Sequence, residues 1–234
     1  GVSGTHGKTT TSSMLSCEFL EAQLDPSIQI GSNLKQINGN YRVGNSKYFI
    51  IEACEYSNSF LNFKQRSAIV LNIDNDHLDF FGTIDNIKKS FEEYVSHLPK
   101  NGFLVLNKDD ERVYSLRNNT EATIITVGHK DADWTYDNII YDEEGYPTYD
   151  VYKNNEFVAK VSLSVVGEHN VFNSLCSIAM ANAYGIDINT CIKALKNYTG
   201  AQRRMEFKGI VNGAKVYDDY GHHPTEIKAT CDGL

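Results

Sequence analysis

No stretch of this 234-residue chain is apolar for the length a membrane-spanning helix needs, so no membrane insertion is expected. An excess of positive charge is also missing: 22 Lys+Arg stand against 30 Asp+Glu, a formal charge of −8. Nucleic-acid surfaces are built from clustered Lys and Arg, so this balance argues against a nucleic-acid partner. The five cysteines (Cys17, Cys54, Cys176, Cys191 and Cys231) include no CxxC pair. Their odd number excludes a complete disulfide framework and fits reduced thiols in a cytoplasmic protein. There is no internal repeat, no low-complexity tract, no signal peptide and no initiator Met. The expectation is a piece excised from a longer protein. The rest of the composition, 41% hydrophobic and 22% charged, suits one large α/β domain or one domain with a small appended lobe.

The first eleven residues organise the chain: Gly1-Val2-Ser3-Gly4-Thr5-His6-Gly7-Lys8-Thr9-Thr10-Thr11. Gly4 and Gly7 let the backbone turn tightly and approach a ligand closely, and successive N–H groups in such a loop form an anion-binding concavity. The following run through Leu20 reads as a helix, whose N-terminus adds positive potential at the same spot. Lys8 supplies a cation for β/γ-phosphate oxygens, and the Thr9 hydroxyl is placed to ligate a phosphate-bound Mg²⁺. Val2 departs from the strict pattern, standing where its first glycine belongs. The plainer alternative is a Gly/Thr-rich turn before a surface helix.

Further along, Ser27–Ile30 reads as a short strand, 31–46 as a polar loop with a possible hairpin at Asn38-Gly39, and 47–54 as a strand buried on both faces. Residues 67–73, 102–107 and 122–127 repeat the strand pattern, with an amphipathic helix over 83–98 and a short one near 109–116. Strands alternating with helices predict an α/β fold of the P-loop type, a mostly parallel sheet flanked by helices. From 131 to 165 the pattern changes to a small antiparallel hairpin lobe. Helices follow over 170–184 and 190–198. A hairpin turning at Asn212-Gly213 is then expected to bring Lys215–Tyr217 into the sheet.

Ligands in open parallel sheets sit beyond the carboxyl ends of the strands, which makes two acidic stretches privileged. Glu52 ends one strand, where a carboxylate is costly unless paired or bound to a metal; an ionised residue emerging from the sheet is the alternative. The run 72–79, Asn-Ile-Asp-Asn-Asp-His-Leu-Asp, follows another strand. Asp76 suits a Walker-B-like role and His77 the same metal or a substrate, although such residues are also good turn formers. Asn170 and Asn173 lie three apart on one helical face, suited to an adenine edge or to helix capping. Arg203-Arg204 follow Gly200 in a turn, where one guanidinium suits a γ-phosphate contact and a solvated arginine pair is the commoner alternative. His222-His223-Pro224 beside Asp218-Asp219 has the look of a metal cluster. Consecutive His side chains usually diverge, however, so nucleotide and substrate contacts are expected there instead.

In order and spacing these stretches, with 52–60, 167–173, 200–207 and 218–226, resemble the Mur ligases of peptidoglycan synthesis. The resemblance covers essentially the whole chain and implies the family's central ATPase domain, spanning 1–234. The N-terminal UDP-sugar domain and the C-terminal domain would lie outside it. It implies ATP and Mg²⁺ as cofactors. Gly4, Thr5, Gly7, Lys8, Thr9 and Thr10 would hold phosphates, and Thr9, Glu52 and His77 would surround the metal. Asn170 and Asn173 would read adenine, Arg204 would contact phosphate, and Asp219 would meet the ribose region. His6 would lie near a muramate carboxylate, with Tyr220 and His222 near the incoming amino acid. The similarity is nearest to the branch joining L-alanine to UDP-N-acetylmuramate through an acyl phosphate. A sister ligase adding a tripeptide, or a P-loop kinase or ATPase with another acceptor, are the alternatives. The family's Glu-Ala-Asp-Glu-Ser-Asp run is altered here at Cys54, Tyr56 and Ser57, and no carbamylated lysine is assigned to Lys88 or Lys89.

Overall fold

The computed structural model describes residues 1–232. In chain order it contains β1 (Val2–Ser3), α1 (Lys8–Glu21), β2 (Ser27–Leu34), β3 (Gly39–Arg42), β4 (Phe49–Ile51) and β5 (Ala68–Val70). Next come α2 (Leu78–Phe81), α3 (Ile84–Ser96), β6 (Phe103–Asn107), α4 (Glu111–Ser115), β7 (Thr123–Gly128), β8 (Trp134–Tyr141), β9 (Pro147–Lys153) and β10 (Glu156–Ser162). The chain closes with α5 (Glu168–Ala183), α6 (Ile188–Lys196), β11 (Glu206–Val211), β12 (Ala214–Asp218) and α7 (Pro224–Asp232).

The main sheet has seven strands in the order β1-β5-β6-β7-β8-β9-β10, parallel from β1 to β8 and antiparallel beyond. Its parallel strands are continuous apolar runs because both faces are covered. Ile69 and Val105 join the core beneath α1, α5 and α6, whereas Ala68, Val70, Leu104 and Leu106 join the core beneath α3 and α4. Phe91, Tyr94 and Phe60 anchor the second core, with Phe60 and Tyr94 stacked 4.4 Å apart. Complete burial of an apolar side chain of this kind contributes about 1.5–3 kcal/mol. Helix α3 begins where its sequence says it should, the Thr83 hydroxyl accepting the Asn86 N–H.

Three features differ from expectation. The 31–46 stretch is less loop than its Gly and Asn content suggests, since β2 runs on to Leu34 and turns back into β3. Burial of Ile28, Ile30 and Leu34 on one face sustains that longer strand. The 47–54 strand shortens to β4, pairs with β2 in a separate three-stranded sheet and leaves Phe49 54% exposed, so it is not buried throughout. Lys215–Tyr217 does not enter the main sheet: β11 and β12 form their own two-stranded ribbon, with no buried residue to dock it on the core. The antiparallel segment from 131 to 165 is present, and it continues the main sheet through the β7–β8 pairing. Among the described residues no helix is long and apolar enough to cross a membrane.

Candidate functional site

Strand β1 is two residues long, yet it lies at the centre of the site. Val2 pairs in parallel with Ile69 of β5 and bridges in parallel to Glu52, just past β4. Three neighbouring carboxyl ends thus lead into the Gly4–Lys8 loop, Glu52 and the 72–77 segment. This is where ligands gather in open parallel sheets.

The loop is laced to the segment after β5. Thr5 N–H donates to Asn72 O (3.1 Å), His6 N–H to Asn72 Oδ1 (2.7 Å), Asn72 Nδ2 to His6 O (3.1 Å) and Asp74 N–H to Thr5 Oγ1 (2.9 Å). Gly4 has φ +135°, and a Cβ there would press to 3.0 Å from Leu71. Gly7 is left-handed at φ +84°, and its missing Cβ would lie 2.7 Å from Asn173 Oδ1. These contacts explain the glycine spacing. The first helical bond runs from Thr11 N–H to Gly7 O, so the amides of Lys8, Thr9 and Thr10 have no partner within α1. That leaves a positive helix end available to an anion.

Lys8 is folded back on the loop. Its Nζ donates to Gly4 O (2.6 Å) and Thr5 O (3.0 Å) and pairs with Glu55, 3.1 Å from Oε1 and 3.0 Å from Oε2. The two side chains are only 13% and 2% exposed, so this is a buried ion pair. Glu52 accepts the Gly31 N–H at 2.7 Å through Oε2. His77, left-handed at φ 52°, caps α2, and its ring lies 4.7 Å from that of Tyr56.

Beside the loop opens a cavity of about 410 Å³. Of the expected residues it gathers His6, Gly7, Thr10, Asn170, Asn173, Arg204 and Asp219 in its lining. Lys8, Thr9, Glu52, His77, Tyr220 and His222 are not part of that lining. Asn170 and Asn173 are buried and linked, Asn173 Nδ2 donating to Asn170 Oδ1 (3.1 Å) and Asn170 Nδ2 to Val166 O (2.7 Å). Asp219 accepts the Met205 and Gly221 amides (2.8 and 2.7 Å), fixing the turn that carries Arg204. Tyr220 is exposed, lying 4.8 Å from the Arg203 guanidinium and 5.6 Å from that of Arg204.

Sequence reasoning left four residues without a role: Glu55, Asp74, His223 and Glu226. All stood inside motifs already quoted, but their partners are 47 to 220 positions away and invisible in a local pattern. His6 Nε2 lies 3.2 Å from Asp74 Oδ2, and His6 Nδ1 3.3 Å from Glu226 Oε1. Burial pushes the His6 pKa down, but these two carboxylates outweigh it and hold it above the ordinary value. For Glu226 burial pulls upward, yet the His6 hydrogen bond and charge, with Arg204 behind them, bring it to about 2. Asp74 is likewise held low against burial, by Asn75 N–H, the Thr225 hydroxyl and His6. His222 and His223 diverge as expected, with side chains 64% and 17% exposed.

Comparison with known proteins gives one family and consistent relatives. Residues 2–181 match the family profile described as Mur ligase middle domain. A UDP-N-acetylmuramate–L-alanine ligase of Acetivibrio thermocellus is 49% identical over 98% of this chain and 49% of its own length. That of Clostridium acetobutylicum is 46% identical over 99% of this chain and 50% of its own. The chain therefore spans about half the length of these curated relatives. Among solved structures, UDP-N-acetylmuramate-alanine ligase from Thermotoga maritima superposes with TM-score 0.87 at 27% identity, covering 99% of this chain and 52% of that one. A murein peptide ligase from Psychrobacter arcticus superposes with TM-score 0.77 at 31% identity, covering 99% and 53%.

Proposed function

The chain belongs to the Mur ligase family, and from that premise we propose that it is the central ATP-binding domain of a cytoplasmic enzyme joining L-alanine to UDP-N-acetylmuramate. Flanking domains of the same protein would supply the remaining sugar-nucleotide and closing contacts. The observation that carries this reading is the convergence of a phosphate loop, Glu52 and the 72–77 segment at three adjacent strand ends beside the cavity. The names of the curated relatives support L-alanine as the amine.

In this reading the γ-phosphoryl group of ATP passes to the muramate carboxylate, giving an acyl phosphate. The amino group of L-alanine then attacks its carbonyl carbon, and amide, ADP and phosphate leave. Bringing a carboxylate to a triphosphate opposes two anions, so fixed cations are the main requirement and the protein forms no covalent intermediate. Lys8 moves from the Gly4 and Thr5 carbonyls onto phosphate while staying near Glu55, since stranding that buried carboxylate would be costly. Arg204 faces charge developing on the transferred group. The linked Asn170–Asn173 pair presents an amide edge to adenine, Asp219 meets the ribose, and His6 holds the muramate carboxylate. Tyr220 and His222, both exposed, orient the amino acid. Of Thr9, Glu52 and His77, the hydroxyl and carboxylate fit Mg²⁺ in donor type, whereas the His77 imidazole is an unusual direct ligand for an ion that prefers oxygen. When bound, that ion supplies positive charge to the phosphate oxygens.

The likeness to a murein peptide ligase favours a second reading, in which a preformed tripeptide is the amine. Phosphate release by the full-length protein with ATP and UDP-N-acetylmuramate separates the two. L-alanine-dependent release supports the first reading, and tripeptide-dependent release replaces it with the second. Turnover needing neither amine would assign the chain to ATPases or kinases with another acceptor.

A further inference from the structure

Three side chains from distant parts of the chain meet at one rim of the cavity: His6 in the phosphate loop, Asp74 after β5, and His223 before α7. Each offers one ligand atom, all within 4.8 Å of one another, and among the described residues no other group of three His, Cys, Asp or Glu does so. Asp74 Oδ2 stands 3.2 Å from His6 Nε2 and 4.0 Å from His223 Nδ1. A tetrahedral zinc ion with bonds of 2.0–2.1 Å holds its ligand atoms about 3.3 Å apart, so the two Asp74 edges need sub-ångström adjustment, while the His6–His223 edge, bounded at 4.8 Å, closes further as the ion enters.

The outward-facing atoms fit the same reading. His223 Nε2 lies 3.0 Å from Asn75 O, a carbonyl that can only accept, so Nε2 carries the proton and Nδ1 keeps its lone pair. The Thr225 N–H donates to His223 Nδ1 at a long 3.3 Å, which agrees with that tautomer and is a weak bond that an entering ion would replace. His6 turns Nδ1 toward Glu226 Oε1 at 3.3 Å, and Asp74 Oδ2 accepts the Thr225 hydroxyl at 2.9 Å. Histidines that bind metals characteristically anchor the other ring nitrogen on a carboxylate or a backbone carbonyl. His223 does so through Asn75 O, whereas His6 Nδ1 is buried within ion-pair distance of Glu226 without a hydrogen bond of its own.

We propose that His6, Asp74 and His223 bind one transition-metal ion of the Zn²⁺ class, at a site distinct from the Thr9–Glu52–His77 set proposed for phosphate-bound Mg²⁺. Two imidazoles and one carboxylate suit Zn²⁺ or Co²⁺, whereas Mg²⁺ favours oxygen. Entry of the ion displaces the proton shared by His6 Nε2 and Asp74, which goes to solvent. Three protein ligands leave a fourth position for water or an anionic oxygen, and His6 and Asp74 both line the cavity. Bound there, the metal cross-links α7 to the phosphate loop. The competing account is a metal-free cluster with a doubly protonated His6 held between Asp74 and Glu226.

The test uses the chain after chelator treatment and dialysis, titrated by calorimetry with Zn²⁺ alone and by absorption with Co²⁺ alone. The expected result is one equivalent bound, with tetrahedral Co²⁺ bands and no thiolate charge-transfer band, since Cys54 and Cys231 are the exposed thiols. Asp74→Asn and His223→Ala should each weaken binding by at least about tenfold, while His222→Ala leaves it unchanged. Failure of the wild-type chain to bind, or equal binding by the Asp74→Asn variant, overturns the proposal in favour of the metal-free cluster. Asp74→Asn retains a side-chain oxygen for Thr225, and it carries the test should His223→Ala fail to fold.

Discussion

Helix α1, behind the phosphate loop, buries eleven residues from Thr9 to Phe19, whereas helix α7, lining the same cavity, buries none. The contrast extends to their surroundings. Helix α1 packs against helices α5 and α6 and against strands β1, β2 and β4, and its serines return their hydroxyls to carbonyls one turn back, as Ser13 does to Thr9 (2.7 Å). Helix α7 is held by polar contacts: Glu226 to His6, Thr225 to Asp74 and His223 to Asn75. One wall of the cavity is therefore shaped by core packing before any ligand arrives. The other has the low local stability expected of parts that adjust on binding.

The largest effect should come from the packed wall. Lys8→Ala removes the cation proposed for phosphate and strands Glu55, which is 2% exposed in its side chain. Breaking such a buried pair costs about 3–5 kcal/mol, read as a drop in urea-unfolding free energy. Adding Glu55→Gln should recover most of that stability while nucleotide binding stays lost. If the double variant binds ATP as the wild type does, Lys8 is a structural residue only.

A smaller effect is expected about three turns further along α1 in the same wall. Glu18 is fully buried, and Ser177 Oγ donates to its Oε1 at 3.0 Å while Oε2 has no partner. Burial pushes its pKa well above 4.5, the Ser177 bond opposing only in part. Above pH 4.5 the unfolded chain releases a proton that the folded chain keeps, so stability falls as pH rises toward the native pKa. The slope is at most about 1.4 kcal/mol per pH unit. Glu18→Gln should abolish it, and denaturant melts at pH 5 and pH 7 would then show a larger advantage for the variant at pH 7. An equal difference at both pH values would mean that Glu18 is ionised in the fold.

The smallest effect belongs to α7. Glu226→Gln removes one of the two carboxylates that hold His6 and leaves Asp74 in place, so it should cost only about 1 kcal/mol and raise amide exchange several-fold in α7. Exchange in α1 should not change. Comparable acceleration in both helices would erase the distinction between the two walls.

The same contrast explains what the sequence made legible. The Gly4–Thr9 loop, the buried strands and α3 follow from local pattern, since glycine spacing, continuous apolar runs and the Thr83 cap act over a few residues. The ion pair of Lys8 with Glu55 and the meeting of His6, Asp74, His223 and Glu226 depend on tertiary contacts, which no short window contains. The β11–β12 ribbon stands apart from the main sheet for a related reason. Its alternating pattern specifies a hairpin, but no burial specifies which sheet the hairpin joins.

Calorimetric titration of this chain with ATP, in Mg²⁺ and then in EDTA, tests most directly whether the three strand ends form one nucleotide site. The account predicts weak binding that depends on Mg²⁺ in the wild type and loses that dependence in Glu52→Gln. Equal affinity with and without Mg²⁺, or a Glu52→Gln variant that responds to Mg²⁺ as the wild type does, would contradict it.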